Sequence, residues 1–144
     1  MEGQFTNTIK VWVNGTFDVF HPGHLALLKY AAKKGELHVG LDSDRRVKEK
    51  KGPNRPVFNL EQRKELIESL KFVHAVYVFD TDWELKEMIK RSEANIIVIG
   101  SDYEKKEIIG KELFRGIIFF DRIKGISSTE ILNHTWNNSD KPEY

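Results

Sequence analysis

The stretch Asn95–Gly100 most constrains what this chain can fold into. Ile96, Ile97, Val98 and Ile99 follow one another with no polar residue between them. A strand with one wet face alternates apolar and polar residues, whereas an unbroken branched run fits a strand covered on both faces, as in a parallel sheet. Parallel strands need long crossovers, and the chain supplies helical patterns between its strand-like runs. Ile9–Val13, Leu37–Leu41, His74–Phe79 and Gly116–Phe120 read as the other four strands. Leu25–Lys34 carries Leu27, Leu28 and Ala31 at helical spacing, with Gly35 to end it. Asn59 and Gln62 form a capping box for a helix expected to bury Leu60, Leu66, Ile67 and Leu70. Thr81 and Glu84 cap another, running to about Arg91. The alternation predicts an α/β protein with five parallel strands flanked by helices. His38 reads as strand packing.

With 144 residues the chain has room for one domain with a proper core. We place that domain at residues 9–136, between a polar start (1–8) and a polar tail (137–144). Lys plus Arg number 23 against 22 Asp plus Glu, so no global field favours nucleic acid or an acidic membrane. Neither is expected as a partner. Cysteine is absent, which excludes disulfides and thiolate zinc sites. No apolar run suits a signal peptide or a membrane span, and the default expectation is a cytoplasmic protein.

Ligands of such sheets bind beyond the carboxyl ends of the strands. The segment after the first strand is Asn14-Gly15-Thr16-Phe17-Asp18-Val19-Phe20-His21-Pro22-Gly23-His24. A strand, a glycine-containing turn and a helix start make an anion site, because the first helical amides lack internal partners and the dipole is positive there. Two imidazoles three residues apart would overlook it. With a reference pKa of about 6.5, either can carry a proton beside phosphate. Metal binding by the pair is disfavoured by the lack of a neighbouring acidic or thiol ligand. Asp42, Asp44, Gly100-Ser101-Asp102 and the turn after Phe120 reach the same sheet edge.

Residues 42–58 form a long polar connection holding Arg45, Arg46, Lys48, Lys50, Lys51 and Arg55. It reads mostly as a solvated basic loop with a short helix over Asp44–Lys50, or else as an electropositive flap over an anionic substrate. Near the C-terminus, Ser127-Ser128-Thr129-Glu130 is a second capping box, hence a second helix start able to hold phosphate.

Gly15-Thr16-Phe17-Asp18 followed by His21-x-Gly23-His24 resembles the signature of the nucleotidyltransferases typified by glycerol-3-phosphate cytidylyltransferase. Arg122 followed by Gly125-Ile126-Ser127-Ser128-Thr129 resembles that family's second signature, with Ser128 where Thr is common. Lys51-Gly52, Arg55-Pro56-Val57 and Glu61-Gln62-Arg63 look like the heptose-phosphate adenylyltransferase branch, as does Gly100-x-Asp102-Tyr103 followed by Glu107-Ile108-x-Gly110. Trp83 is similar to the glycerol-phosphate branch instead.

The resemblance implies a Rossmann-like fold and transfer of a nucleotidyl group from a nucleoside triphosphate to a phosphorylated small molecule. It implies catalytic roles for His21, His24, Lys51 and Arg122. Gly15, Thr16, Phe17, His21, His24, Asp102, Arg122, Ser127, Ser128 and Thr129 would bind the nucleotide. Asp18, Lys48 and Lys51 would serve the acceptor, although Asp18 can instead fix the turn. Mg²⁺ is expected to enter on the triphosphate rather than in a protein cage. A homo-oligomer, a dimer, is expected. ATP with a heptose 1-phosphate is the expected pair, CTP with glycerol 3-phosphate the alternative. A non-catalytic nucleotide sensor would have lacked a histidine or Arg122, and a class I aminoacyl-tRNA synthetase fragment would need a longer chain with a basic face.

Overall fold

The structure is a computed structural model that describes residues 8–101 and 105–121. In chain order the elements are β1 (Lys10–Gly15), α1 (Pro22–Lys34), β2 (Glu36–Asp42), α2 (Asp44–Lys51), α3 (Leu60–Glu68), β3 (Val73–Phe79), α4 (Asp82–Ser92), β4 (Ile96–Gly100) and β5 (Gly116–Phe120), with a short 3₁₀ turn at Lys111–Leu113. The five strands lie in the order β3-β2-β1-β4-β5, and every pair is parallel. The fold is therefore the Rossmann-like α/β sheet that the strand runs imply.

Side chains of alternate parity feed two cores. Val11, Val13, Val39 and Leu41 meet Leu28, Ala31 and Ile67 on one face. Trp12, Phe79 and Ile97 meet Leu85 and Ile89 of α4 on the other. Trp12 has no exposed surface. It lies so close over β2 that a Cβ on Gly40 would stand 2.5 Å from its Cζ2, which requires glycine there. Leu66 departs from its expected place: it is 43% exposed, and Ile67 supplies the buried contact of α3.

The chain builds outward from β1 through β2 to β3, then returns to the other side of β1 for β4 and β5. The order thus reverses between β1 and β4, where a crevice opens in such sheets. Pairing explains the opening. β1 matches β2 over six positions, from Lys10 to Gly15, but matches β4 only at Val11 and Trp12. Beyond Trp12 the two strands part.

Candidate active site

A cavity of about 300 Å³ fills that opening. Val13–Phe17 and Val98–Gly100 form its floor, His21, Gly23 and His24 one wall, and Arg46, Lys50 and Lys51 another. Of the expected site residues, Gly15, Thr16, Phe17, His21, His24 and Lys51 are brought together here. Asp102, Arg122, Ser127, Ser128 and Thr129 lie outside the described residues, as do residues 1–7 and the tail.

The histidine wall starts with a helix boundary. α1 begins at Pro22, not at Leu25, because proline suits the first helical position and His21 is the N-cap. His21 Nδ1 accepts from the amides of Gly23 (3.0 Å) and His24 (3.3 Å), while the His21 amide donates to His24 Nδ1 at 3.3 Å. This is a capping box made of two imidazoles, with the rings stacked at 3.7 Å between centroids. Phe17 and Phe20 hold the His24 ring from its sides, at 5.3 and 5.5 Å. An imidazole nitrogen that accepts an amide hydrogen carries none itself, so each neutral ring has its proton on Nε2. The pair is thus built as neutral Nε2–H donors at a helix N-terminus, rather than as the imidazolium ions that sequence chemistry equally allows.

Asp18, expected to serve the acceptor or to fix the turn, does not line the cavity. Its carboxylate is fully buried and accepts from Arg55 Nε (2.9 Å) and from the amides of Val57 (2.7 Å) and Phe58 (2.9 Å). Burial alone would raise its pKa, but those two amides and the Arg55 guanidinium outweigh it and hold the carboxyl below its ordinary value. Asp18 fixes the turn, and it also anchors the segment between α2 and α3. The backbone here is tight, with Phe17 and Val19 at φ 47° and 52°, a region costly for a β-branched residue.

The basic connection carries the expected helix, and Arg45, Lys48, Lys50 and Lys51 are exposed as a solvated stretch requires; Arg46 and Arg55 depart from it. Arg46 and Arg55 are 6% and 8% exposed, and both are ion-paired. Asp42 Oδ2 accepts from Arg46 Nε at 3.0 Å and from Lys50 Nζ at 2.9 Å. Arg46 and Lys50 are four apart and share the cavity face of α2. Lys48 is exposed and is not among the cavity's lining residues, contrary to its expected acceptor role. Two residues rotate a helix by about 200°, which carries Lys48 away from the face of Arg46. More than a third of Lys51 meets solvent, yet partial burial and the nearby Arg55 lower its pKa, with Asp18 opposing.

Arg63 ties the floor to both walls without lining the cavity. Its buried guanidinium donates to the carbonyls of Thr16 and Asp42, both at 2.9 Å, to Phe58 O at 3.0 Å, and to Asp44 Oδ1 at 2.8 Å. Arg46 and Lys50 entered the sequence reading only as members of the basic connection, and no site role was expected of them or of the far rim (Glu107, Ile108, Ile109, Phe120). The i, i+4 spacing of Asp42 and Arg46 was the one available signal for the first pair. Trp83 is 70% exposed and lines a separate groove with Val78, Asp80 and Met88.

A crevice of this volume at a sheet's switch point, walled by a helix start and lysines, is the kind of place where α/β proteins hold phosphate-bearing ligands. Residues 12–134 match the cytidylyltransferase-like family, and the chain belongs to it. The chain is similar to the bifunctional protein HldE of Campylobacter fetus, 44% identical over 124 residues, covering 85% of this chain and 27% of the relative. It is 38% identical to the HldE of Gluconobacter oxydans over 127 residues, 85% of this chain and 26% of that one. The chain thus spans about a quarter of the length of these curated relatives. A crystal structure of the lipopolysaccharide core biosynthesis protein from Thermoplasma volcanium superposes with a TM-score of 0.66 at 26% identity, covering 81% of this chain and 99% of that one. Among the described residues, no helix is long and apolar enough to cross a membrane.

Proposed function

We propose that this chain joins ATP to a sugar 1-phosphate, such as D-glycero-D-manno-heptose 1-phosphate, with release of pyrophosphate. The observation that carries this reading is the stacked His21–His24 cap facing Lys50 and Lys51 across one cavity. An acceptor phosphate oxygen attacks the α-phosphorus in line. The bond from that phosphorus to the bridging oxygen of the β-phosphate breaks, and the electron pair leaves with pyrophosphate. Such chemistry rests on positioning and on stabilising the charge that builds on the phosphoryl oxygens. Gly15, Thr16 and Phe17 would offer backbone to the nucleotide, and the Nε2–H groups of His21 and His24 would donate to its phosphates. Lys51 would hold the acceptor phosphate. Asp102 would face the nucleoside, and Arg122, Ser127, Ser128 and Thr129 the β- and γ-phosphates.

Carboxylates lining the cavity among the described residues are Asp42 and Glu107, and Asp42 Oδ1 is buried without a hydrogen-bond partner. That donor set fits a magnesium ion held by triphosphate oxygens with at most one carboxylate beside them, where it would supply charge neutralisation. The adenylyl and heptose choice rests on the Lys51–Arg63 resemblance and on the HldE relatives. The test is pyrophosphate release from each of the four nucleoside triphosphates against phosphorylated sugars, polyols, flavin and pantetheine. ATP with a heptose 1-phosphate should turn over fastest. Preference for CTP with glycerol 3-phosphate would overturn the substrate assignment, and silence with every pair would overturn the activity.

A further inference from the structure

At the opposite end of the sheet from the cavity, the first residues of β2 and β3 bring Glu36, His38 and His74 together. Glu36 Oε1 lies 2.8 Å from His38 Nε2, and its Oε2 lies 3.6 Å from His74 Nδ1. One ligand atom from each residue fits within a span of 4.8 Å. A tetrahedral zinc ion with ligands at about 2.0–2.2 Å sets them roughly 3.3–3.6 Å apart, so small side-chain shifts complete the geometry.

A backbone irregularity creates the cluster. The β2–β3 register passes from Leu37↔Val73 to His38↔Ala75, leaving His74 as the extra residue of a bulge. A bulge re-aims a side chain, and here the His74 ring lies 5.0 Å from that of His38. The buried ring of His38 is oriented from behind: its Nδ1 lies 2.8 Å from the Tyr77 hydroxyl. Without an ion Nε2–H can donate to Glu36; with one bound, Nδ1–H would donate to the Tyr77 oxygen and Nε2 would turn its lone pair to the metal. Ligating histidines are commonly held by such a partner on the other nitrogen. His74 and Glu36 are open to solvent on the outer side, which leaves room for entry and for water ligands. Lys10, whose charge is felt at Glu36 and His38, is engaged by Glu93 at 3.2 Å.

We propose that Glu36, His38 and His74 form a binding site for a divalent transition-metal ion of the zinc type, completed by water, which fastens the edge strand β3 to β2. Among the described residues no other three such side chains are so placed. The site is independent of the nucleotidyl chemistry. Leu41, the β2 neighbour of Gly15, is five steps along the strand from Glu36, roughly 16 Å at the usual rise.

The experiment titrates Zn²⁺ into the chelator-stripped chain by calorimetry, without nucleotide, alongside thermal unfolding and the visible spectrum with Co²⁺. One Zn²⁺ per chain should bind at micromolar concentration or tighter. The melting temperature should rise, since the ion favours the folded state. Co²⁺ should give the intense d–d absorption of a low-coordinate site. His74→Ala, at a half-exposed position, and Glu36→Gln should each weaken Zn²⁺ binding at least about tenfold. His24→Ala should leave it unchanged. Absence of binding at micromolar Zn²⁺ overturns the proposal. So does binding that survives His74→Ala and Glu36→Gln, or that is lost with His24→Ala.

Discussion

The two walls of the cavity solve one problem by different means. The β1–α1 wall meets anions with uncharged groups: helix amides and two imidazoles locked by their own cap. The α2 wall meets them with full charges, Arg46, Lys50 and Lys51, of which the first two already share Asp42. Fixed dipoles need no counter-ion and lose little when water leaves, so they suit a charge that appears only during reaction. Lysines on a short helix suit a charge that is present before and after it. Under the proposed function the first wall serves rate and the second binding, and three variants test it.

The largest effect is expected where the walls are tied together. Asp18→Ala leaves the Arg55 guanidinium buried without its partner, which should cost about 3–5 kcal/mol of folding stability. Urea unfolding measures it, and a loss below 1 kcal/mol would separate the two walls. The pH dependence has a definite sign. The folded carboxyl is held below its ordinary value, so its stabilisation is complete above the unfolded carboxyl's pKa and fades as pH falls through the folded one. The acid limb of the stability curve should be shallower in the variant.

Next comes the histidine pair. His24→Ala should lower kcat about a hundredfold to a thousandfold with little change in triphosphate affinity. It should also cost some stability, because His24 Nδ1 closes the cap, and loss of a cap is worth about 0.5–2 kcal/mol. His21→Asn distinguishes the roles: asparagine is a good N-cap but lacks the Nε2–H. Near-native melting with a large fall in kcat is expected. Recovery of turnover in His21→Asn would make the imidazole a cap and nothing more.

The smallest effect belongs to Lys51→Ala, expected to raise the acceptor KM about tenfold with nucleotide affinity intact, the loss of one charge-assisted bond at a partly wet site. Because its pKa is lowered, the charge disappears as pH rises sooner than in an ordinary lysine. The acceptor KM should therefore climb on the alkaline side in the wild type and stay flat in Lys51→Arg. Equal profiles would return Lys51 to the solvated surface.

Much of this arrangement was readable before folding. The apolar run at Ile96–Ile99 implied a doubly covered strand, and the Asn59 and Thr81 capping boxes start their helices where expected. The first helix was misjudged by one turn because histidine is an unusual N-cap, although Pro22 marked the boundary. Leu66 was misplaced because Leu66 and Ile67 are adjacent and only one can face the sheet. The buried arginines were illegible for a deeper reason. Charge patterns report solvation on average, and what buries Arg46, Arg55 and Arg63 is carboxylates and carbonyls brought from distant segments.

Arg63 has a further consequence, for how the molecule opens. Its side chain closes loops of 47 and 21 residues at once, through Thr16 and Asp42. The phosphate turn, the end of β2 and the start of α3 consequently share one fate. α3 cannot lift from the sheet without releasing the carbonyl of Thr16. Amide hydrogen exchange should then report a single opening free energy for the phosphate turn and the buried turn of α3, a cooperative unit spanning residues remote in sequence.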